Sequence, residues 1–116
     1  MIQRLGVQKT YSEIVIHNST VYLSGQVPWT TCEGPFQEQA VEVFQLIEQR
    51  LQEAGSSMKQ ILTMQVFLKD PVNYPMFNKV FIERIPEGCA PARNTICGMK
   101  FPNPDWALEI IVTAAL

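Results

Sequence analysis

Two short apolar runs near the start of the chain, Glu13-Ile14-Val15-Ile16-His17 and Val21-Tyr22-Leu23-Ser24, are rich in β-branched and aromatic residues and separated by Asn18-Ser19-Thr20. This pattern predicts two strands joined by a tight turn. Gly25, Pro28 and the stretch Thr30-Thr31-Cys32-Glu33-Gly34-Pro35 then interrupt regular structure and predict a loop. From Phe36 to Ala54 the period changes. Phe36, Ala40, Val43, Phe44, Ile47, Leu51 and Ala54 recur every three or four residues, with Gln and Glu filling most of the positions between them. That spacing predicts an amphipathic helix with one buried face, ended by Gly55-Ser56-Ser57.

Ile61 to Leu68 is apolar except for Thr63 and Gln65, as expected of a well-covered strand, and Lys69-Asp70-Pro71 stops it. Asn73 reads as an N-cap with Pro75 in the first turn of a second helix, where Met76, Phe77, Val80, Phe81 and Arg84 keep helical spacing up to Pro86. Arg93 to Met99 and Trp106 to Ala115 read as strands around the turn Pro102-Asn103-Pro104-Asp105. The predicted order is ββαβαββ. It describes an α+β domain spanning 1–116, with a mixed β-sheet and two helices on one face.

Composition adds two constraints. Hydrophobic residues make up 47% of the chain and charged residues 17%, below the roughly 25% charge of an average soluble domain. In so short a chain this predicts that part of the surface is buried against another subunit. With 9 Lys plus Arg against 11 Asp plus Glu, the net charge is −2, which disfavours a general electrostatic grip on nucleic acid or on an anionic membrane. The three cysteines, Cys32, Cys89 and Cys97, form neither a paired disulfide framework nor a metal knuckle, and are expected to be small buried thiols. No apolar run approaches the length of a membrane span, and the reading is of a soluble cytoplasmic protein.

Little of the chain offers chemistry. His17 is the only histidine and sits beside a turn, so neither an imidazole pair nor a His-rich metal site can be built. Two charged residues interrupt segments that should be packed. Arg93 follows Cys89-Ala90-Pro91-Ala92 at the mouth of a strand, where a rigid lead-in can aim a planar guanidinium at a carboxylate. Glu109 lies in Ala107-Leu108-Glu109-Ile110-Ile111-Val112, and a buried carboxylate must be hydrogen-bonded, paired or used. An Arg93–Glu109 salt bridge, or a Glu109 pointing outward from an edge strand, would account for both without function. Otherwise they describe an anion pocket with a carboxylate handling water, to which Ser24-Gly25-Gln26 adds a hydroxyl and backbone N–H groups.

Tyr11, Leu23-Ser24-Gly25-Gln26-Val27-Pro28, Glu53-Ala54-Gly55, Val66-Phe67-Leu68-Lys69-Asp70, Asn78, Pro91-Ala92-Arg93 and Leu108-Glu109-Ile110 together resemble the RidA/YjgF family of reactive intermediate deaminases, from about Tyr11 to Ala115. The resemblance implies a chorismate-mutase-like fold assembled as a homotrimer with inter-subunit pockets. It implies cofactor-independent hydrolysis of enamine and imine intermediates such as 2-aminoacrylate to a 2-oxo acid and ammonia, without a metal. By the same resemblance Arg93 binds the substrate carboxylate, Glu109 positions the attacking water, and Tyr11, Ser24, Gly25 and Thr95 line the pocket. Water activation at an electrophilic carbon works best with a proton-sharing carboxylate, so burial is expected to raise the Glu109 pKa.

The chain departs from the archetypal pattern at Thr95, where cysteine is usual, at Ile111, where a second glutamate is common, and in the long turn Met99 to Trp106. These features are similar to a divergent YoaB-like subgroup. They leave open whether the pocket turns over an imine or serves as a non-catalytic binding site for a small carboxylate such as a 2-oxo acid. The family's links to translation inhibition and RNA cleavage fit poorly with the negative net charge and single histidine.

Overall fold

In the computed structural model, which describes residues 1–116, the chain forms strands β1 (Gln3–Val7), β2 (Ser12–His17) and β3 (Thr20–Leu23), helix α1 (Phe36–Glu53), strand β4 (Ile61–Leu68), helix α2 (Tyr74–Arg84), and strands β5 (Ala92–Cys97) and β6 (Leu108–Ala115). The strands make one six-stranded sheet in the order β1-β2-β3-β6-β4-β5. Only β4 and β5 are parallel, and α2 carries the chain across between them, as a parallel connection requires. The α+β class, the mixed sheet and the two helices agree with the sequence pattern.

Period-two alternation sorts the sheet's side chains. Leu108, Ile110, Val112 and Ala114 of β6, with Met64, Val66 and Leu68 of β4, are buried on the face covered by the helices. Onto them α1 lays Ala40, Val43, Phe44, Ile47 and Leu51, and α2 adds Phe77 and Val80. Phe44 and Phe77 meet at 5.8 Å between ring centroids and tie the two helices together. No helix covers the opposite face, where Tyr22 is 46% exposed and Ile96 45%.

The end of α1 and the turn between β2 and β3 follow from local chemistry. Gly55 takes φ +85°, and the N–H groups of Gly55 and Ser56 bond to the carbonyls of Gln52 and Leu51, the paired arrangement that closes a helix around a left-handed glycine. Asn18 and Ser19 both have positive φ, which gives the β2–β3 hairpin the backbone twist its strands need.

Several expectations are corrected. A strand, β1, precedes the two predicted ones. Its sequence Gln-Arg-Leu-Gly-Val carries almost no alternation and is mostly exposed, so it forms through its ladder with β2 rather than through burial. Asn73 occupies the predicted cap position of α2 but its side chain makes no capping bond; Asp70 instead accepts from the Val72 N–H at 2.9 Å, over a 3₁₀ turn at Pro71–Asn73. Trp106 and Ala107 stay in the preceding turn, and β5 ends at Cys97. The cysteines are not buried: Cys32 and Cys89 are partly accessible and Cys97, near the edge of the sheet, is exposed. No helix is long and apolar enough to cross a membrane.

Because Phe44 joins both helices to the sheet, Phe44→Ala is expected to destabilise the fold by about 3–5 kcal/mol in urea or thermal denaturation.

Candidate functional site

Glu109 lies on β6, between β3 and β4, so it is not on an edge strand. Its neighbours Leu108 and Ile110 point into the core, and alternation carries the Glu109 side chain to the face away from the helices. There it borders a cavity of about 420 Å³ whose wall includes Tyr11, Ser24, Gly25, Gln26, Trp29, Arg50, Pro102 and Trp106. The cavity opens where β3 ends and the chain rejoins β6, through paired backbone bonds between Gln26 and Ile110 at 2.8 and 3.1 Å. The Gln26 amide turns back onto Ser24, 2.9 Å from its carbonyl oxygen and 3.4 Å from its hydroxyl. Gly25 passes so close to Glu109 that a Cβ there would overlap the carboxylate. Burial pushes the Glu109 carboxyl above its ordinary pKa, as expected, and no hydrogen bond from the protein opposes that shift.

Arg93 is elsewhere. It pairs in register with Met64, a core residue, so its side chain leaves β5 on the helix side of the sheet. There the guanidinium lies 4.9 Å from the Phe81 ring centroid, 5.2 Å from Phe77 and 5.8 Å from Tyr74. It donates to Asn78 Oδ1 at 2.7 Å and to the Tyr74 hydroxyl at 3.4 Å. Two residues on, Thr95 lies on the same side, its Oγ1 buried with no hydrogen-bond partner. The aromatic bed and Asn78 hold the guanidinium flat while no carboxylate neutralises it.

The structure therefore brings Tyr11, Ser24, Gly25 and Glu109 together and leaves Arg93 and Thr95 apart from them. Glu109 is opposite Phe67 and Phe67 opposite Ile96, three residues beyond Arg93. Strand geometry puts the two Cα atoms about 14 Å apart, with side chains on opposite faces. This rules out an Arg93–Glu109 salt bridge within one chain. The two ion pairs present are Arg50–Glu13 at 3.2 Å and Arg50–Glu53 at 3.1 Å. No three His, Cys, Asp or Glu side chains gather as a metal site would need.

Sequence reasoning missed four residues of this region. Trp29 and Trp106 meet edge to face across the cavity wall, with centroids 5.3 Å apart and planes at 83°. Gln39, only 4% exposed, and Glu42 reach from α1 to the loops that bear them. Gln39 was detectable in the sequence, as a polar residue between Phe36 and Val43 on the apolar stripe. The tryptophans signalled nothing by period, because both sit in turns.

The family model described as Endoribonuclease L-PSP matches residues 1–116. A RutC family protein from Haemophilus influenzae is 38% identical over 113 residues, covering 97% of each chain, and the RutC family protein YoaB from Escherichia coli is 33% identical over 116 residues, covering 99% of this chain and 98% of that one. Among solved structures, a protein from Pseudomonas aeruginosa aligns with a TM-score of 0.94 at 34% identity, covering 99% of this chain and 98% of that one. NMB1025 from Neisseria meningitidis, a member of the YjgF family, aligns at 0.92 and 32% identity, covering 99% and 94%. The chain belongs to the RidA/YjgF family, which includes the RutC and YoaB proteins.

A carboxyl whose pKa is raised on folding binds more protons folded than unfolded, so its contribution to stability is full below the unfolded pKa and is lost as pH rises through the folded one. Glu109→Gln removes that loss. Thermal melts from pH 4 to 8 should show the variant at least as stable as the parent at neutral pH, with less decline as pH rises. Gly25→Ala should displace the Glu109 side chain, at a cost of less than about 1 kcal/mol because only a flexible carboxylate must yield. Its effect on any Glu109-dependent activity should vanish when Glu109 is already alanine, which a double-mutant cycle measures.

Proposed function

We propose that the protein hydrolyses small 2-imino acids and their enamine tautomers to 2-oxo acids and ammonia, without a cofactor. The observation that carries this reading is Glu109, a half-buried carboxylate with a raised pKa, set against Gly25 in a cavity large enough for a small acid. A site that only captured a carboxylate would have no use for a second one of the same sign.

The chemistry asks for two groups. A guanidinium fixes the substrate carboxylate and so aims its C=N carbon; Arg93, flat and free of any acidic partner, is suited to that contact. Water adds through its oxygen to the C=N carbon, while one of its protons passes to Glu109 and on to the nitrogen. The tetrahedral carbinolamine then collapses: its hydroxyl gives up its proton, which Glu109 passes to the amine nitrogen, the carbonyl of the 2-oxo acid forms, and the C–N bond breaks with its electron pair leaving on nitrogen as ammonia. An enamine first takes a proton at its terminal carbon, and a carboxyl of raised pKa is placed to supply it.

Arg93 and Glu109 can serve one substrate only if they come from different subunits. The uncovered sheet face, with Tyr22 and Ile96 exposed beside Phe67 and Ile111, is an apolar surface suited to burial against further copies. A homotrimer with pockets between neighbours satisfies both requirements. RNA cleavage is less well served, because the one cation lining the cavity, Arg50, is already shared between Glu13 and Glu53.

Ammonia and 2-oxo acid release should be measured with imines freshly made by an amino acid oxidase. Arg93→Ala and Glu109→Gln are each expected to lower kcat/KM by a hundredfold or more, roughly the worth of a lost charge contact or general base. Glu109→Gln should still bind a 2-oxo acid. Co-refolding the two inactive variants in equal amounts should restore about a quarter of wild-type activity, the share of interfaces that receive one intact residue from each side. No turnover of any imine by the assembled wild type would overturn the hydrolase in favour of carboxylate binding.

A further inference from the structure

We propose that Trp29 and Trp106 form a side-chain subsite that makes aromatic 2-imino acids, rather than the three-carbon imine, the preferred substrates. This rests on the hydrolase reading for its chemistry, but on separate residues for its geometry. Two indoles set at 83° with centroids 5.3 Å apart make a corner. A flat ring placed in that corner can lie against the face of one indole while turning its own edge to the face of the other, the stacked and edge-to-face arrangements that aromatic quadrupoles favour. Trp29 is 62% exposed, so much of its surface is free to receive such a ring, and Pro102 extends the wall with another rigid apolar surface.

The corner is also held in place from outside the cavity. Glu42 of α1 accepts from the Thr30 N–H at 3.0 Å, the Thr30 hydroxyl at 2.8 Å, the Thr31 N–H at 3.0 Å and the Thr31 hydroxyl at 2.7 Å, which pins the backbone next to Trp29. One turn earlier, Gln39 donates to the Cys32, Gly34 and Asp105 carbonyls at 3.1, 3.2 and 3.3 Å and accepts from the Ala107 N–H at 2.8 Å. A single buried amide thus joins the loop after Trp29 to the residues on either side of Trp106. An exposed indole left to chance would have no such scaffold. Gln39 and Glu42 are positioning residues for the pair.

The experiment compares kcat/KM for the imines of phenylalanine and alanine, and in parallel the binding of 3-phenylpropionate and propionate, followed by intrinsic fluorescence. The chain has two tryptophans, both in this wall, so the signal arises at the subsite. The wild type should favour the aromatic imine, and bind the aromatic acid more tightly, by about tenfold, the worth of one or two aromatic contacts. Trp29→Ala and Trp106→Ala should each bring the ratio of the two imines toward one, and Trp29→Phe should retain most of it. Glu42→Ala, which touches no part of the cavity, should lower the same ratio. A wild-type ratio of one or below, or a ratio unmoved in both alanine variants, overturns the subsite. If no imine is turned over, the hydrolase reading falls and the binding ratio decides alone: tighter binding of 3-phenylpropionate with a change in fluorescence upholds the subsite, and equal binding removes it.

Discussion

The pleat of β6 is the constraint on which the rest depends. Leu108, Ile110, Val112 and Ala114 must all face the helices, because the core closes around them. With a period of two, Glu109 then has no choice of side. It is carried to the uncovered face in the middle of the sheet, where Gly25 leaves room for it and solvent is partly excluded. The raised pKa follows from that placement: the carboxylate is held in a poor environment for charge by the apolar residues on either side of it in sequence. Strand β5 applies the same rule with the opposite result. Arg93 faces the helices, where α2 supplies rings and an amide but no counter-charge.

Helix α1 serves two purposes along its length. Its middle and C-terminal half supply the apolar ridge of the core through Val43, Phe44, Ile47 and Leu51. Its N-terminal half holds loops. Glu42 collects donors from Thr30 and Thr31, and although burial disfavours its charged form, those side-chain and backbone hydrogen bonds prevail and keep its pKa below the ordinary value. Gln39 meets donors and acceptors on both sides of the cavity's rim and leaves no buried amide atom unpaired. Irregular segments are thereby tied to the most regular element in the chain, and a site lined by loops gains the rigidity of a helix.

What could be read in the sequence divides along the same physical line. Elements that bury a periodic face were legible: the stripe from Phe36 to Leu51 and the alternation through Leu108 to Ala114 give α1 and β6 to within two residues. Glu109 stood out because it breaks an apolar strand, and Arg93 because it follows a rigid lead-in. Strand β1 was not legible, since its stability comes from pairing with β2 and leaves no mark on its own composition. The same holds for the cysteines, whose exposure depends on which neighbours the loops bring near. Trp29, Trp106 and their anchors lie where side chains answer to particular hydrogen bonds rather than to a period. The separation of Arg93 from Glu109 needed the register of three strands, which no single segment encodes.

The strand order also governs when the protein can exist as a folded body. Strand β6 is the last of the six strands in chain order, yet it lies between β3 and β4, which make no ladder with one another. Until residues 108–115 are available, the hairpin of β1 to β3 and the parallel pair β4–β5 are two incomplete half-sheets, each with an open edge. Their joining is a late, long-range event of the kind that slows folding and leaves strand edges unprotected meanwhile. The segment that carries the candidate water-handling carboxylate is therefore also the one that closes the sheet, so the step that completes the architecture is the one that sets Glu109 against Gly25.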